Sequence, residues 1–307
     1  MFIWDKMGCI FKPGQNNPND WMKTHVQNPL PEKIGNDIFR VHFAARDSFN
    51  RARGGFFDIN IKKPFKILQI SQKPTIDLGS LGAFDDCGVM PSSVVRYDDK
   101  KYMYYTGWSK AVTVPFSFHI GLAISEGDTN TYKKYSQAPV LGRNQNDPYI
   151  TGAPFVIIEN STFKMWYVSC TKWVPEKTDS KPIHYYTIKH AESNDGVAWK
   201  TSNKLCLEYQ KDEYAFARPV IVRIDGKYLM YYSFRGGNRL YRIGCAESNN
   251  GISWTRIDHL AGIDVSPSGW DAEMICYPYV FEHQGNTYML YNGNNYGENG
   301  IGLAIAS

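Results

Sequence analysis

The sequence lacks most of the features that announce a common function. No basic run or basic face stands out among its 307 residues, and the formal net charge is only +4, so nucleic acid is not an expected partner. No stretch approaches the roughly 18 consecutive apolar residues of a membrane-spanning helix. The opening Met1-Phe2-Ile3-Trp4-Asp5-Lys6-Met7 has no long apolar core behind a basic end, which argues against a secretory leader. The six cysteines, at positions 9, 87, 170, 206, 245 and 276, show neither CxxC nor paired spacing. They read as small buried hydrophobes in a reducing compartment, and a cytoplasmic location is expected. The seven histidines are dispersed, so no metal site is expected. GxGxxG after a strand, the P-loop, HExxH and GxSxG are all missing, and no cofactor is expected.

Aromatics, by contrast, are plentiful: they make up 15% of the chain, with 21 Tyr and 8 Trp. Such an excess suits half-buried β surfaces and also sugar-binding clefts. The 43% hydrophobic content is ample for a core.

A repeat fixes the expected fold. Val89-Met90-Pro91 leads to Lys101-Tyr102-Met103-Tyr104-Tyr105 and then Ile120-Gly121-Leu122-Ala123. The same order recurs from Gly152-Ala153-Pro154, from Ala217-Arg218-Pro219 and from Cys276-Tyr277-Pro278, and in degenerate form from Gln27-Asn28-Pro29. The turns Asn194-Asp195-Gly196 and Asn249-Asn250-Gly251 are tight hairpin signals, read as structural. They precede the expected outer strands Val197–Lys200 and Ile252–Thr255. Four strands per unit, at a period of about 60 residues, describe a propeller blade. An all-β, five-bladed β-propeller is therefore expected, as a single domain over residues 1–307. The last copy ends without an outer strand, and Gly8-Cys9-Ile10-Phe11-Lys12 has the form to supply it. That pairing closes the ring and removes an exposed edge.

Strand order puts the segment before each proline and the end of each second strand on one face. The first group carries Asp85 and Asp86, Asp147, Glu213, and Asp271 with Glu273. The second carries Arg46, Trp108, Cys170, Arg235 and Asn294, and Arg218 stands beside Pro219. Acids, arginines, Asn and Trp are thus expected to converge on the mouth of a central funnel. Any single acid has a bland alternative: Asp147, before Pro148, suits a turn, and Arg46–Asp47 or Arg218–Glu213 suit structural ion pairs. His25, near the first inner strand, is the histidine placed closest to the funnel.

The repeat, the Ser193-Asn194-Asp195-Gly196-Val197-Ala198-Trp199 blade end and Asn146-Asp147-Pro148 resemble the glycosidase-like five-bladed propellers. That superfamily includes the arabinanase and β-xylosidase, invertase and levansucrase, and mannoside phosphorylase groups. Phe84-Asp85-Asp86-Cys87-Gly88-Val89-Met90-Pro91 and Gly269-Trp270-Asp271-Ala272-Glu273-Met274 resemble propellers associated with bacterial surface-polysaccharide genes. The resemblance implies an enzyme that cleaves or transfers a glycosidic bond with inversion. The arabinanase and invertase groups place an acid directly before the proline in blades one, three and four. Here those positions are Asn28, Ala153 and Arg218.

On this reading Asp86 is the base and Glu273 the acid, with Asp271 or Glu213 tuning it. Arg46, Arg218 and Arg235 hold hydroxyls or phosphate, and Trp108 stacks on a sugar face. Asp85, Asp147, Asn28, Asn294 and His25 complete the substrate site. The expected partner is a carbohydrate or sugar nucleotide. A phosphorylase or glycosyltransferase, a non-catalytic sugar binder and an interaction scaffold remain as alternatives.

Overall fold

The computed structural model describes residues 2–14, 19–127, 129–175 and 181–307. Strand β1 (Trp4–Phe11) opens the chain, and four meanders follow. They comprise β2 (Thr24–Lys33), β3 (Ile38–Arg46), β4 (Ala52–Asn60) and β5 (Lys63–Ile70); β6 (Gly88–Tyr97), β7 (Lys100–Lys110), β8 (Phe116–Glu126) and β9 (Lys133–Lys134); β10 (Thr151–Glu159), β11 (Thr162–Val174), β12 (Ile183–Ser193) and β13 (Lys200–Leu205); and β14 (Glu213–Ile224), β15 (Lys227–Gly236), β16 (Arg239–Ser248) and β17 (Thr255–Arg256). The last unit has β18 (Cys276–His283), β19 (Asn286–Asn292) and β20 (Ile301–Ala306). Its outer strand is β1, antiparallel to β20 from Trp4↔Ala306 to Phe11↔Ile301. The inner strands β2, β6, β10, β14 and β18 neighbour one another in that order, and β18 returns to β2. The ring is closed and the architecture is a β-propeller.

Each blade packs against a neighbour on both faces, so the second strands carry apolar residues without alternation. Tyr104 and Tyr105, Trp166 and Tyr167, and Tyr231 and Tyr232 are all buried pairs. One member of a pair reaches the next blade. Tyr104 donates its hydroxyl to the Gly196 carbonyl at 2.8 Å, and Trp166 Nε1 donates to the Gly251 carbonyl at 2.7 Å. The Asn-Asp-Gly and Asn-Asn-Gly turns are therefore inter-blade anchors. Asp195 Oδ1 also accepts from the amides of Val197 and Ala198, at 2.8 and 2.9 Å, holding them in the turn. The outer strands accordingly begin later than expected, at Lys200 and Thr255.

The five repeat prolines 29, 91, 154, 219 and 278 all lie on inner strands, each at a bulge in the pairing with the second strand. In four blades the preceding residue is left-handed: Asn28, Ala153, Arg218 and Tyr277 have φ of 57, 45, 52 and 54°. A residue before proline normally favours extended backbone, and a non-glycine residue held here costs of order 1–3 kcal/mol. The surrounding strands must offset that cost. In return the bulge re-aims side chains at the ring axis.

Strand β1 contributes Phe11, fully buried and stacked on Phe57 at 4.2 Å between ring centroids. Deleting residues 1–12 should remove this anchor and expose the edge of β20. Truncating a buried Phe alone costs about 3–5 kcal/mol, so the melting temperature should fall by about 10 °C or more, or the protein should aggregate. Differential scanning calorimetry checks this; melting unchanged from the full chain would disprove the closure.

Candidate functional site

A cavity of about 740 Å³ opens on the ring axis, a volume typical of small-molecule sites. Its floor comes from the inner strands: Gln27 and Asn28, Met90, Gly152 and Ala153, Ala217, and Tyr277. The left-handed bulges thus place Asn28, Ala153 and Tyr277 in the floor itself. The walls include Arg46, Trp108 and Arg235, with Phe116, Phe118, His184, Tyr186 and Tyr241. Trp108 packs directly against Gly88, where a Cβ would sit 1.5 Å from the indole Nε1.

Cations dominate the charge. Arg46, Lys110, Lys181 and Arg235 line the cavity, and among the described lining residues no Asp or Glu appears. Arg46 donates to Gln27 Oε1 at 3.0 Å and to Asn50 Oδ1 at 2.9 Å, both neutral acceptors. The Arg235 guanidinium lies between the rings of Tyr214 and Tyr241, at 5.1 and 4.8 Å. It donates to the Tyr296 hydroxyl at 2.9 Å and to His184 Nε2 at 3.2 Å. Burial works against the Arg235 charge, but the surrounding tyrosines outweigh it and hold the pKa above the usual value. Tyr186 and Tyr241 join hydroxyl to hydroxyl behind it. Among the described residues, no three His, Cys, Asp or Glu side chains converge as metal ligands.

The structure redirects the expected acids. Asp85 accepts the Tyr105 hydroxyl at 2.9 Å and pairs with Lys134 at 2.6 Å. Asp147 holds Tyr167, Ser169 and Lys189 at 3.0, 2.6 and 3.1 Å. Asp271 holds Tyr291 at 3.1 Å and Lys6 at 2.8 Å. Glu213 takes two bonds from Arg256, at 2.6 and 2.9 Å. All four are buried and none lines the cavity. Each clips the incoming segment to later strands of the blade it enters. This corrects the placement of Asp85, Asp147, Asp271 and Glu213 at the mouth: a buried carboxylate needs a cation and donors, and the blade interior supplies both.

Asp86 and Glu273 also lie outside the cavity. Asp86 Oδ2 accepts the Gly82 amide within its own loop, at 3.0 Å. Glu273 is exposed; its amide donates to Asn294 Oδ1 at 2.9 Å and its carbonyl accepts from Arg242 at 2.9 Å. Asn294 is a loop staple, bonded also to the Met274 amide and the Gly269 carbonyl. Cys170 is buried away from the cavity. Arg218 is fully buried beneath the floor, donating to the carbonyls of Ser92 and of Pro29, the latter at 3.2 Å. Burial draws its pKa down to about 10. His25 does not line the cavity, and burial, with Arg46 nearby, lowers its pKa to about 4. The histidine that does line it is His184, and with Tyr186 it marks the wall that sequence reading missed. Both sit on the early part of β12, upstream of the Ile188–Ser193 repeat segment, and their two-residue spacing is the available signal.

These features define a β-propeller with a cation-lined axial cavity. The fold comparison agrees. A solved structure called "Glycoside hydrolase" matches with a TM-score of 0.75 at 17% identity, covering 98% of this chain and 90% of its own. A thermostable family-43 glycoside hydrolase matches at 0.67 and 16% identity, covering 96% and 92%. An exo-1,5-alpha-L-arabinanase from a bovine ruminal metagenomic library matches at 0.62 and 14%, covering 96% and 95%. No family model matches. Two curated relatives, "Uncharacterized protein Rv1502" and "Uncharacterized protein MT1551" of Mycobacterium tuberculosis strains H37Rv and CDC 1551, are each 42% identical over 303 residues, 98% of both chains. The chain belongs to the family of these mycobacterial proteins.

Because Asp147 is fully buried against Lys189, Asp147→Ala should leave an uncompensated buried cation and cost about 3–5 kcal/mol. Glu273→Gln, on an exposed side chain, should stay within about 0.5 kcal/mol of the parent. Urea denaturation measures both, and a reversed order would refute the assignment of Asp147 to the framework.

Proposed function

We propose that the protein is a carbohydrate-active propeller that binds a phosphorylated sugar in its axial cavity and transfers the glycosyl group. The observation that carries this reading is the lining itself: two arginines and two lysines, with no carboxylate among the described lining residues. An inverting hydrolase needs one carboxylic acid for the leaving oxygen and one carboxylate for the attacking water, facing each other across the sugar. Asp86 and Glu273 do not line the cavity, and the positions before the prolines, Asn28, Ala153 and Arg218, carry no acid. A phosphate leaving group changes the requirement. It departs as an anion, so guanidinium and ammonium charge can replace a proton donor.

The step then balances as follows in chemical terms. The bond from the anomeric carbon to the phosphate oxygen breaks and its electron pair leaves with the phosphate. The acceptor oxygen bonds to the anomeric carbon, and the departing phosphate takes the acceptor's proton. Arg235, caged by tyrosines, stabilises the departing charge, and Arg46 is placed to assist. Trp108 and Phe116 provide faces for the sugar ring, and Asn28 and Gln27 provide polar groups on the floor. The likeness of the fold to solved glycoside hydrolases supports a carbohydrate as the group carried.

Isothermal titration calorimetry with sugar phosphates, nucleotide sugars and neutral glycosides tests the proposal. Phosphorylated ligands should bind, and Arg235→Ala should weaken them about tenfold or more, the worth of a hydrogen bond to a charged group. Indifference to every phosphorylated ligand, together with hydrolysis of a neutral glycoside, would overturn it.

A further inference from the structure

The cavity holds a group whose charge is set by its neighbours. His184 is in register with Trp173 across β11 and β12. Its ring stacks on Tyr186 at 4.8 Å and contacts Trp173 and Phe116 at 5.2 and 5.4 Å. Its Nε2 lies 3.2 Å from Arg235 Nη2. A guanidinium has only donors, so Nε2 must accept, and the imidazole is neutral. The described surroundings favour that state. Arg235 faces it from β15, and Lys181 lines the cavity just before β12. Lys172, from β11, lies over Tyr185 at 4.4 Å. The tyrosines 186, 241 and 296 are neutral neighbours, and no acid lines the cavity among the described residues. Burial first, and Arg235 second, hold the His184 pKa at about 4.

We infer that His184 takes up a proton when an anion enters the cavity, so that imidazolium and Arg235 clamp the anion together. The inference rests on the anion reading given above and adds a second charged donor to it. The anion reverses the sign of the local field: with its charge beside Arg235, the cation no longer opposes protonation of the ring. Nε2 changes from acceptor to donor, which breaks the Arg235–His184 bond and turns both groups towards the ligand. A charge-assisted hydrogen bond from the ring then favours the charged form. Proton and anion therefore bind together, and the empty cavity keeps its donors closed on each other. The consequence is selection by charge, since a neutral sugar gives no compensation for protonating the ring.

Calorimetric titration of the full chain with inorganic sulfate, which has no proton to exchange near neutrality, reads this directly. At about pH 6, comparing two buffers of different ionisation enthalpy, close to one proton should be taken up per sulfate bound. Affinity should fall about tenfold per pH unit from about pH 5 upward, and level off once the ring is neutral in both states. His184→Asn keeps an acceptor for Arg235. It should bind sulfate at the weak, high-pH level, with no proton uptake and no pH dependence. Sulfate binding without proton uptake in the parent protein would overturn the inference while leaving the anion reading intact. So would uptake that survives in His184→Asn, which would assign it elsewhere, for example to His25. If the parent binds neither sulfate nor phosphate, the anion reading falls and the inference falls with it.

Discussion

The buried acid clip is the interaction on which this propeller depends. Blades touch mainly through side chains, and the segments that carry the chain from one blade to the next would otherwise lie loosely over the ring. Asp85, Asp147 and Asp271 each take a tyrosine hydroxyl from the second strand of the blade being entered and an ion pair from a lysine on a strand further out in that blade. Glu213, Arg256, Asp258 and Tyr232 do the same work in the fourth blade. A buried ion pair adds little net stability over an apolar pair, but removing one partner is costly. Its contribution is therefore geometric: it fixes where the inner strands of these four blades begin, and so where their bulges fall.

The bulges turn that framework into a cavity. Left-handed residues before proline are strained, and four of them at one level of one ring are a shared device. They place Asn28, Ala153 and Tyr277 in the floor and send Arg218 below it, where its guanidinium spans the carbonyls of two other inner strands. Arg218 is a fully buried cation that pairs with no carboxylate among the described residues, held by carbonyls and by the Tyr279 ring at 5.6 Å. Its charge sits on the axis beneath a cavity already rich in cations, and strengthens the preference for an anionic occupant.

The framework was legible in the sequence because a repeat multiplies weak signals. One Ala-Arg-Pro means little, but five X-X-Pro triplets in phase with Tyr-Tyr strands locate every inner strand, and β1 could be matched to its missing partner. The cavity lining was legible where a residue's place follows from its rung in the repeat, as with Arg46, Trp108 and Arg235. The acids failed because a loop residue next to the mouth has two directions available. The tyrosine hydroxyls and lysines that draw Asp85, Asp147 and Asp271 into the blades lie 20 residues or more away in sequence. His184 and Tyr186 were missed for a related reason: the repeat segment marks the far half of β12, whereas the cavity uses the near half, which extends beyond the shared pattern.

The pairing of β1 with β20 also has a consequence in time. Residues 4–11 are made long before their partners at 301–306. Until those emerge, the first strand has no place in the ring, and the Asp271 clip lacks its Lys6. Contacts of such sequence separation form slowly, because the whole intervening chain must be ordered to bring them together. Synthesis and folding are thereby coupled: four blades can assemble as they appear, but the fifth waits for residues 301–306, and the ring closes only then.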